Sequence, residues 1–141
     1  MSDASMHYRY PVDGDDFARA GEASSSLKKV LKQLGLPPEC IRRVAIAMYE
    51  GEINMVIHAN GGYIDVDIFP DHIRMILKDT GPGIPDVALA MTEGYSTASS
   101  EVNDLGFGAG MGLPNMKRST DEMQIDTEVG VGTTVTMTVN F

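Results

Sequence analysis

Glu50, Asn54 and His58 recur every four residues in the segment 38–60. On a helix that turns about 100° per residue, such positions form one row along the side. We expect this row to lie beside an apolar stripe that faces the core, formed by Ile46, Tyr49, Ile53, Val56 and Ile57. A carboxylate and an amide at the edge of a core cost desolvation energy unless they have partners.

Two interpretations of this polar row stay open. It is either a rim whose groups bond to nearby backbone, or the face of an active site. In the second case Glu50 acts as a base, and Asn54 offers a carbonyl oxygen to a hard cation such as Mg²⁺. His58 is more typical of a structural hydrogen bond, and the absence of an HExxH motif disfavours zinc.

A second group of candidate residues is the stretch DTGPGI, residues 79–84, which follows the apolar run HIRMILK. Asp, Gly and Pro each favour turns, so a surface turn is one explanation. A ligand loop is the other explanation. The Asp79 carboxylate can accept a hydrogen bond from an amino group, while Gly81 and Gly83 let the backbone approach a ligand closely.

A third group is the glycine series in GFGAGMGLP, with Gly106, Gly108, Gly110 and Gly112. Alternating glycines expose successive N–H groups, and a helix that starts here favours negative charge at its first turn. The series is neither a Walker A loop nor a dinucleotide-binding fingerprint. It is suited to phosphate, to the hinge of a lid, or to both.

Hydrophobic periodicity predicts the elements that position these residues. We expect strands at 7–12, 63–69, 72–78, 122–129 and 133–141, and helices at 14–35, 38–60, 86–91 and near 111–122. A polar stretch, 92–110, has the character of a lid. This order predicts an α+β fold, a two-layer α/β sandwich with helices on one face of a mixed, mostly antiparallel sheet.

Length and charge limit the classes of function. A chain of 141 residues predicts a single domain, 1–141. The net charge of −9 argues against nucleic acid and anionic lipid as partners. The single cysteine, Cys40, permits no internal disulfide, and no apolar run is long enough to cross a membrane. We therefore expect a cytoplasmic protein.

Four motifs follow one another in the order of a known superfamily. They are Glu50-x-x-x-Asn54, Asp79-x-Gly81-x-Gly83, Gly108-x-Gly110-x-Gly112 and Gly132-Thr133. They resemble the N, G1, G2 and G3 boxes of the GHKL ATPases, which share the Bergerat ATP-binding fold. The stretches GYSTAS and GFGAGMGLPNMKRSTDEM resemble the small serine kinases of bacterial partner switching, which are anti-sigma factors and switch kinases that act on STAS-domain proteins.

The resemblance implies ATP and Mg²⁺ as cofactors and assigns a role to each motif. Asp79 would accept the adenine amino group with help from Thr133, and Asn54 would bind Mg²⁺. Glu50 would activate the hydroxyl of a protein serine. The glycines would lie against the nucleotide: Gly81 and Gly83 beside the base, and Gly108, Gly110 and Gly112 along the phosphates. Since residues 92–107 contain no Lys or Arg, Lys117, Arg118 or a partner would supply the cation for the γ-phosphate.

Three hypotheses about function follow. The first is an ATP-dependent serine kinase that phosphorylates a STAS-type, anti-anti-sigma-like regulator. The second is a nucleotide-dependent binding switch that sequesters a regulator such as a sigma factor or a phosphatase without significant turnover. The third is a detached histidine-kinase catalytic domain, which the GYSTAS and LPNMKR stretches disfavour. The resemblance also implies a homodimer.

Overall fold

The computed structural model describes residues 6–14, 19–58, 61–83 and 112–141. The strands are β1 (Met6–Asp13), β2 (Gly61–Ile68), β3 (His72–Asp79), β4 (Glu122–Glu128) and β5 (Gly132–Asn140). The helices are α1 (Glu22–Gln33), α2 (Pro38–His58) and α3 (Gly112–Ser119). The expected helix at 86–91, the lid stretch 92–110, Gly108 and Gly110 lie outside the described residues.

The five strands form one sheet in the order β1-β2-β3-β5-β4, and each neighbouring pair is antiparallel. Alternate residues of β2, β3 and β5 are buried, as the alternating apolar pattern predicts. They share one core with buried side chains of the three described helices, including Leu27, Met48 and Met116. The expected two-layer α+β sandwich is therefore confirmed.

Charge pairs on the opposite face of the sheet match the register of β1 on β2. Arg9 lies opposite Asp65 and donates two hydrogen bonds to its carboxylate, at 2.7 and 3.0 Å. His7 lies opposite Asp67, with Nδ1 2.6 Å from a carboxylate oxygen. Because side chains alternate along a strand, a slip of one residue would separate both pairs.

Helix α1 begins later than the sequence predicted. The expected helix started at residue 14, but α1 starts at Glu22, after Gly21 with φ +98°. This left-handed backbone conformation cannot continue a right-handed helix, so Gly21 marks the beginning. The predicted end is correct, since α1 stops at Gln33 and Gly35 has φ +74°.

The predicted apolar stripe of α2 is partly wrong. Ile53 and Val56 are buried, but Tyr49 is 41% exposed and Ile46 is only half-buried. The side chain of Ile57 is not described. The buried face instead includes Val44, Ala47, Met48, Glu52 and Met55. The reason is that α2 packs between α1 and α3 as well as on the sheet, which widens and rotates its buried surface.

Candidate nucleotide and catalytic site

Asp79 and Thr133 form the best-defined part of the site. Asp79 ends β3, Thr133 lies near the start of β5, and the two are direct cross-strand neighbours. Oδ1 of Asp79 accepts hydrogen bonds from the backbone N–H of Gly81 at 2.9 Å and of Thr133 at 3.2 Å. Within the described part of the chain, Oδ2 accepts no hydrogen bond. The two backbone hydrogen bonds thus fix the carboxylate through Oδ1, and Oδ2 is the oxygen suited to accept a hydrogen bond from a ligand.

The hydroxyl of Thr133 is held as well. Thr133 is buried, with 8% of its surface exposed, and its Oγ1 lies 2.9 Å from Oγ1 of Thr127. A buried hydroxyl beside a carboxylate can donate to one neighbour and accept from another. Asp79 and Thr133 therefore present hydrogen-bonding groups from the ends of two adjacent interior strands.

The loop after Asp79 packs on the turn between β4 and β5. The carbonyl oxygen of Pro82 accepts a hydrogen bond from Gly130 at 2.9 Å. Gly83 has φ +80°, and a Cβ added there would lie 2.6 Å from the carbonyl oxygen of Glu128. Only glycine fits this conformation and this approach. Gly83 therefore allows the loop after Asp79 to pack directly against the turn between β4 and β5.

Glu50 and Asn54 lie one turn apart on α2, and both are half-buried. Burial raises the pKa of Glu50 above its ordinary value of 4.5, and a hydrogen bond from Asn115 partly offsets this effect. Nδ2 of Asn115 donates to Oε1 of Glu50 at 3.4 Å. A partly desolvated carboxylate with a raised pKa is a stronger base than an exposed one.

Asn54 has its amide nitrogen directed at α3. Nδ2 donates to the sulfur of Met116 at 3.9 Å, which leaves Oδ1 on the other side of the amide group. An amide oxygen is a suitable ligand for a hard cation. The side chain of His58, the third member of the polar row, is not described.

Gly51 brings α2 close to the other elements of the site. A Cβ at this position would lie 2.3 Å from Cδ2 of Leu77 on β3 and 3.3 Å from Cε of Met116 on α3. Leu77 precedes Asp79 by two residues, so the polar edge of α2 lies near the end of β3 that carries Asp79. Among the predicted phosphate-binding glycines, Gly112 is the first residue of α3, and Gly108 and Gly110 are not described.

Two residues with structural roles near the site were missed by the sequence analysis. One is Asn115, described above. The other is Glu52, which is 3% exposed and accepts three backbone hydrogen bonds at the start of α1. The donors are Gly21 at 3.0 Å, Ala23 at 3.1 Å and Ser24 at 3.0 Å. The sequence contained only an indirect signal for this role of Glu52. Gly21, at the N-cap of α1, has no side chain that could accept hydrogen bonds from the first turn, so another residue has to accept them.

A cleft of about 570 Å³ lies elsewhere, between α1 and α2. Its lining includes Gly21, Lys28, Ile46 and Tyr49. Among the described residues, Asn54, Asp79, Gly81, Gly83 and Thr133 do not line it, so this cleft is separate from the Asp79–Thr133 pair.

Comparison with known proteins identifies the family. Residues 15–139 match the histidine kinase-like ATPase domain. The chain belongs to this family. This result agrees with the GHKL resemblance of the four motifs, two of which meet at the Asp79–Thr133 pair.

Two curated members resemble this ATPase-domain chain over most of its length. The serine/threonine-protein kinase RsbT of Bacillus subtilis (strain 168) is 32% identical over 112 residues, which cover 77% of this chain and 78% of RsbT. The anti-sigma F factor of Clostridium novyi (strain NT) is 29% identical over 138 residues, which cover 94% and 90%.

Among solved structures, a chain of the SiaB–SiaC complex from Pseudomonas aeruginosa has the same fold. The TM-score is 0.60 at 11% identity, covering 98% of this chain and 89% of that chain. In the described part of our chain, no helix combines the length and the apolar character needed to cross a membrane.

Proposed function

We propose that this protein is an ATP-dependent protein serine/threonine kinase that phosphorylates a STAS-type regulator. One observation carries the proposal. Glu50, with its raised pKa, and Asn54 lie on α2 near the end of β3, where Asp79 is held by two backbone amides. The similarity to the RsbT kinase supports the same conclusion.

The nucleotide would bind through groups from several elements. Oδ2 of Asp79 is suited to accept a hydrogen bond from the adenine amino group, with Thr133 beside it. Gly81 and Gly83 shape the adenine loop, and the residues proposed to line the phosphates are Gly108, Gly110 and Gly112. Oδ1 of Asn54 would hold Mg²⁺, which neutralises phosphate charge when it is bound.

The chemical step uses Glu50 as the base. Glu50 takes the proton from the hydroxyl of the protein serine, and the serine oxygen bonds to the γ-phosphorus. The bond between that phosphorus and the bridging oxygen breaks, and ADP leaves with the electron pair. The partly desolvated carboxylate accepts the proton more readily than an exposed one does.

A second candidate function is a nucleotide-dependent binding switch. The similarity to an anti-sigma F factor favours it, because that name describes a protein that acts on a sigma factor. In this case the protein would hold a sigma factor, a phosphatase or another regulator without turnover, either as a homodimer or as a monomer. For both the kinase and the binding switch, we propose that the protein acts in the cytoplasm.

Glu50→Gln separates these two functions, and Asp79→Asn tests the nucleotide site that both of them require. Asp79→Asn replaces the acceptor oxygen pair with an amide, so calorimetry should show that Mg-ATP binding is lost. Glu50→Gln keeps the size of the side chain and removes the base. It should retain ATP binding and lose about 100-fold or more in the rate of phosphoryl transfer to STAS-domain proteins of the same genome.

The matched control is Glu39→Gln, which changes an exposed glutamate near the start of the same helix. It should leave binding and transfer unchanged. If Glu50→Gln transferred phosphate at the wild-type rate, the assignment of Glu50 as base would be wrong. If the wild-type protein captured its partner in an ATP-dependent manner but never phosphorylated it, the binding switch would replace the kinase.

A further inference from the structure

Helix α3 contacts both candidate residues of α2 through two consecutive side chains. Asn115 donates to Glu50, and Met116 accepts from Asn54. Met116 is 1% exposed and belongs to the core, so α3 is firmly packed at this point. Asn115 is half-buried and is the first polar side chain of α3 to reach α2.

The amide of Asn115 has only one favourable orientation. Its Oδ1 accepts a hydrogen bond from Nη2 of Arg118 at 2.5 Å, while its Nδ2 points to Glu50. Exchanging the two amide atoms would put an NH₂ group against the guanidinium and an oxygen against the carboxylate. Since a guanidinium only donates and an ionised carboxylate only accepts, both contacts would then be lost.

Gly51 leaves room for the side chain of Met116 from α3. A methyl group there would lie 3.3 Å from Cε of Met116, which is closer than a relaxed contact. The glycine next to Glu50 thus makes space for the residue that follows Asn115 on α3. The packing of Met116, the orientation of the Asn115 amide and its hydrogen bond to Glu50 are therefore all found at one contact between α3 and α2.

We propose that Asn115 is the positioning residue of Glu50: anchored by Arg118, it holds Oε1 and leaves Oε2 to take the substrate proton. This inference rests on the proposed kinase function. The hydrogen bond favours the ionised carboxylate, whereas burial favours the protonated one. Asn115 thereby partly offsets the effect of burial on the pKa of Glu50 and fixes the direction of the carboxylate.

The test is an NMR titration of the Glu50 side-chain carboxyl carbon in the full chain, without nucleotide. Asn115→Leu keeps the volume and removes the donor, so the titration midpoint of Glu50 should rise by about half a pH unit or more. Gln124→Leu removes an amide from the exposed face of β4 and is the matched control, with no expected change. An unchanged midpoint in Asn115→Leu would overturn the inference.

A second measurement uses the wild-type protein and does not require the variant to fold. The side-chain NH₂ resonances of Asn115 should titrate with the same midpoint as Glu50, and Glu50→Gln should abolish this titration. Asn115 resonances that do not respond to pH in this range would also overturn the inference.

Kinetics separate this inference from the proposed function. The acidic limb of the transfer rate should move to higher pH in Asn115→Leu by the same amount as the midpoint, with KM for ATP unchanged. A shifted midpoint without any transfer by the wild-type protein would overturn the kinase function and leave the hydrogen bond established. Normal transfer with an unshifted midpoint would overturn the role of Asn115 alone.

Discussion

At the scale of single residues, three buried or half-buried carboxylates have different roles in this protein. Asp79 and Glu52 both accept backbone hydrogen bonds; among the described residues, the donors reach one oxygen of Asp79 and both oxygens of Glu52. Glu50, two residues before Glu52 on α2, accepts one side-chain donor from the part of the chain that the structure describes. The number of donors around each carboxylate thus distinguishes a structural cap from a group available for ligand or substrate.

Glu52→Gln should destabilise the fold. Oε2 of Glu52 accepts from Gly21 and Ala23, while Oε1 accepts from Ser24. A glutamine keeps one acceptor oxygen, so its NH₂ group would face at least one backbone donor. We expect a loss of about 2 kcal/mol in the free energy of unfolding, measured by urea denaturation.

The control for this prediction is Glu39→Gln on the same helix, whose carboxylate is exposed and pairs with Arg42. It should show no change beyond experimental error. Equal stability of Glu52→Gln and the wild-type protein would contradict the capping role.

At the scale of elements, Gly51 allows α2 to pack closely on Leu77 of β3. Gly51→Ala would gain roughly 1 kcal/mol from helix propensity alone. The added Cβ, however, would lie 2.3 Å from Leu77, which is 3% exposed and has little room to move. We therefore expect a net destabilisation of about 1–3 kcal/mol in thermal or urea unfolding.

The double variant Gly51→Ala/Leu77→Ala tests the cause. If the clash with Leu77 is responsible, the two changes should cost less together than the sum of the single changes. Strict additivity would assign the effect of Gly51→Ala to another cause.

A second prediction at this scale concerns the contact that joins α2 to the strand pair β4–β5. Oδ2 of Asp121 accepts from the backbone N–H of Asn140 at 2.7 Å and lies 3.0 Å from Arg43. The hydrogen bond from Asn140 and the pairing with Arg43 lower the pKa of Asp121 below its ordinary value of 3.8, against a smaller opposing effect of burial. Arg43 also donates to the carbonyl oxygen of Ser119 at the end of α3.

Asp121→Asn should therefore reduce stability at neutral pH by about 1 kcal/mol or less, since solvent screens this partly exposed pair. A carboxyl whose pKa is lowered in the folded state stabilises the protein above its ordinary pKa. This stabilisation disappears as pH falls through the lowered value. The difference between variant and wild type should thus shrink toward zero in strongly acidic solution, as measured by urea unfolding across pH.

Asp13→Asn serves as the comparison, because the pair between Asp13 and Arg19 is exposed on both sides. It should cost less than Asp121→Asn at neutral pH. A difference for Asp121→Asn that stayed constant down to acidic pH would contradict the role of its charge.

At the scale of the whole molecule, the candidate site draws on both layers of the sandwich. Glu50 and Asn54 come from the helical layer, and Asp79 and Thr133 come from two strands of the sheet. A ligand that contacts both layers binds only when they are packed together, so it should stabilise the fold as a unit.

Mg-ATP at about 100 times its Kd should raise the free energy of unfolding by about 2.7 kcal/mol and Tm by roughly 5–10 °C. Glu50→Gln should keep this shift, and Asp79→Asn should lose it. The readout is calorimetric unfolding over a range of nucleotide concentrations. A wild-type Tm that did not depend on ATP would count against a nucleotide site in the isolated chain.

Much of the architecture followed from patterns that are local in the chain. Alternating apolar residues predicted β2, β3 and β5 because each strand buries one face, and the two-layer arrangement followed from their order. The start of α1 and the buried stripe of α2 were less predictable. Both depend on neighbours far apart in sequence: Glu52 caps α1, and α1 and α3 flank α2 on two sides.

For the site, the sequence by itself determined the residue types and their order. Carboxylate, amide and glycine at fixed spacings carry their hydrogen-bonding capacity and backbone freedom wherever the chain goes, so Glu50, Asn54 and Asp79 could be predicted as site residues, and the family resemblance added Thr133. Only the tertiary structure decided which groups these residues meet. The contact of Asn115 with Glu50 spans 65 positions along the chain, and it forms because α3 packs on α2.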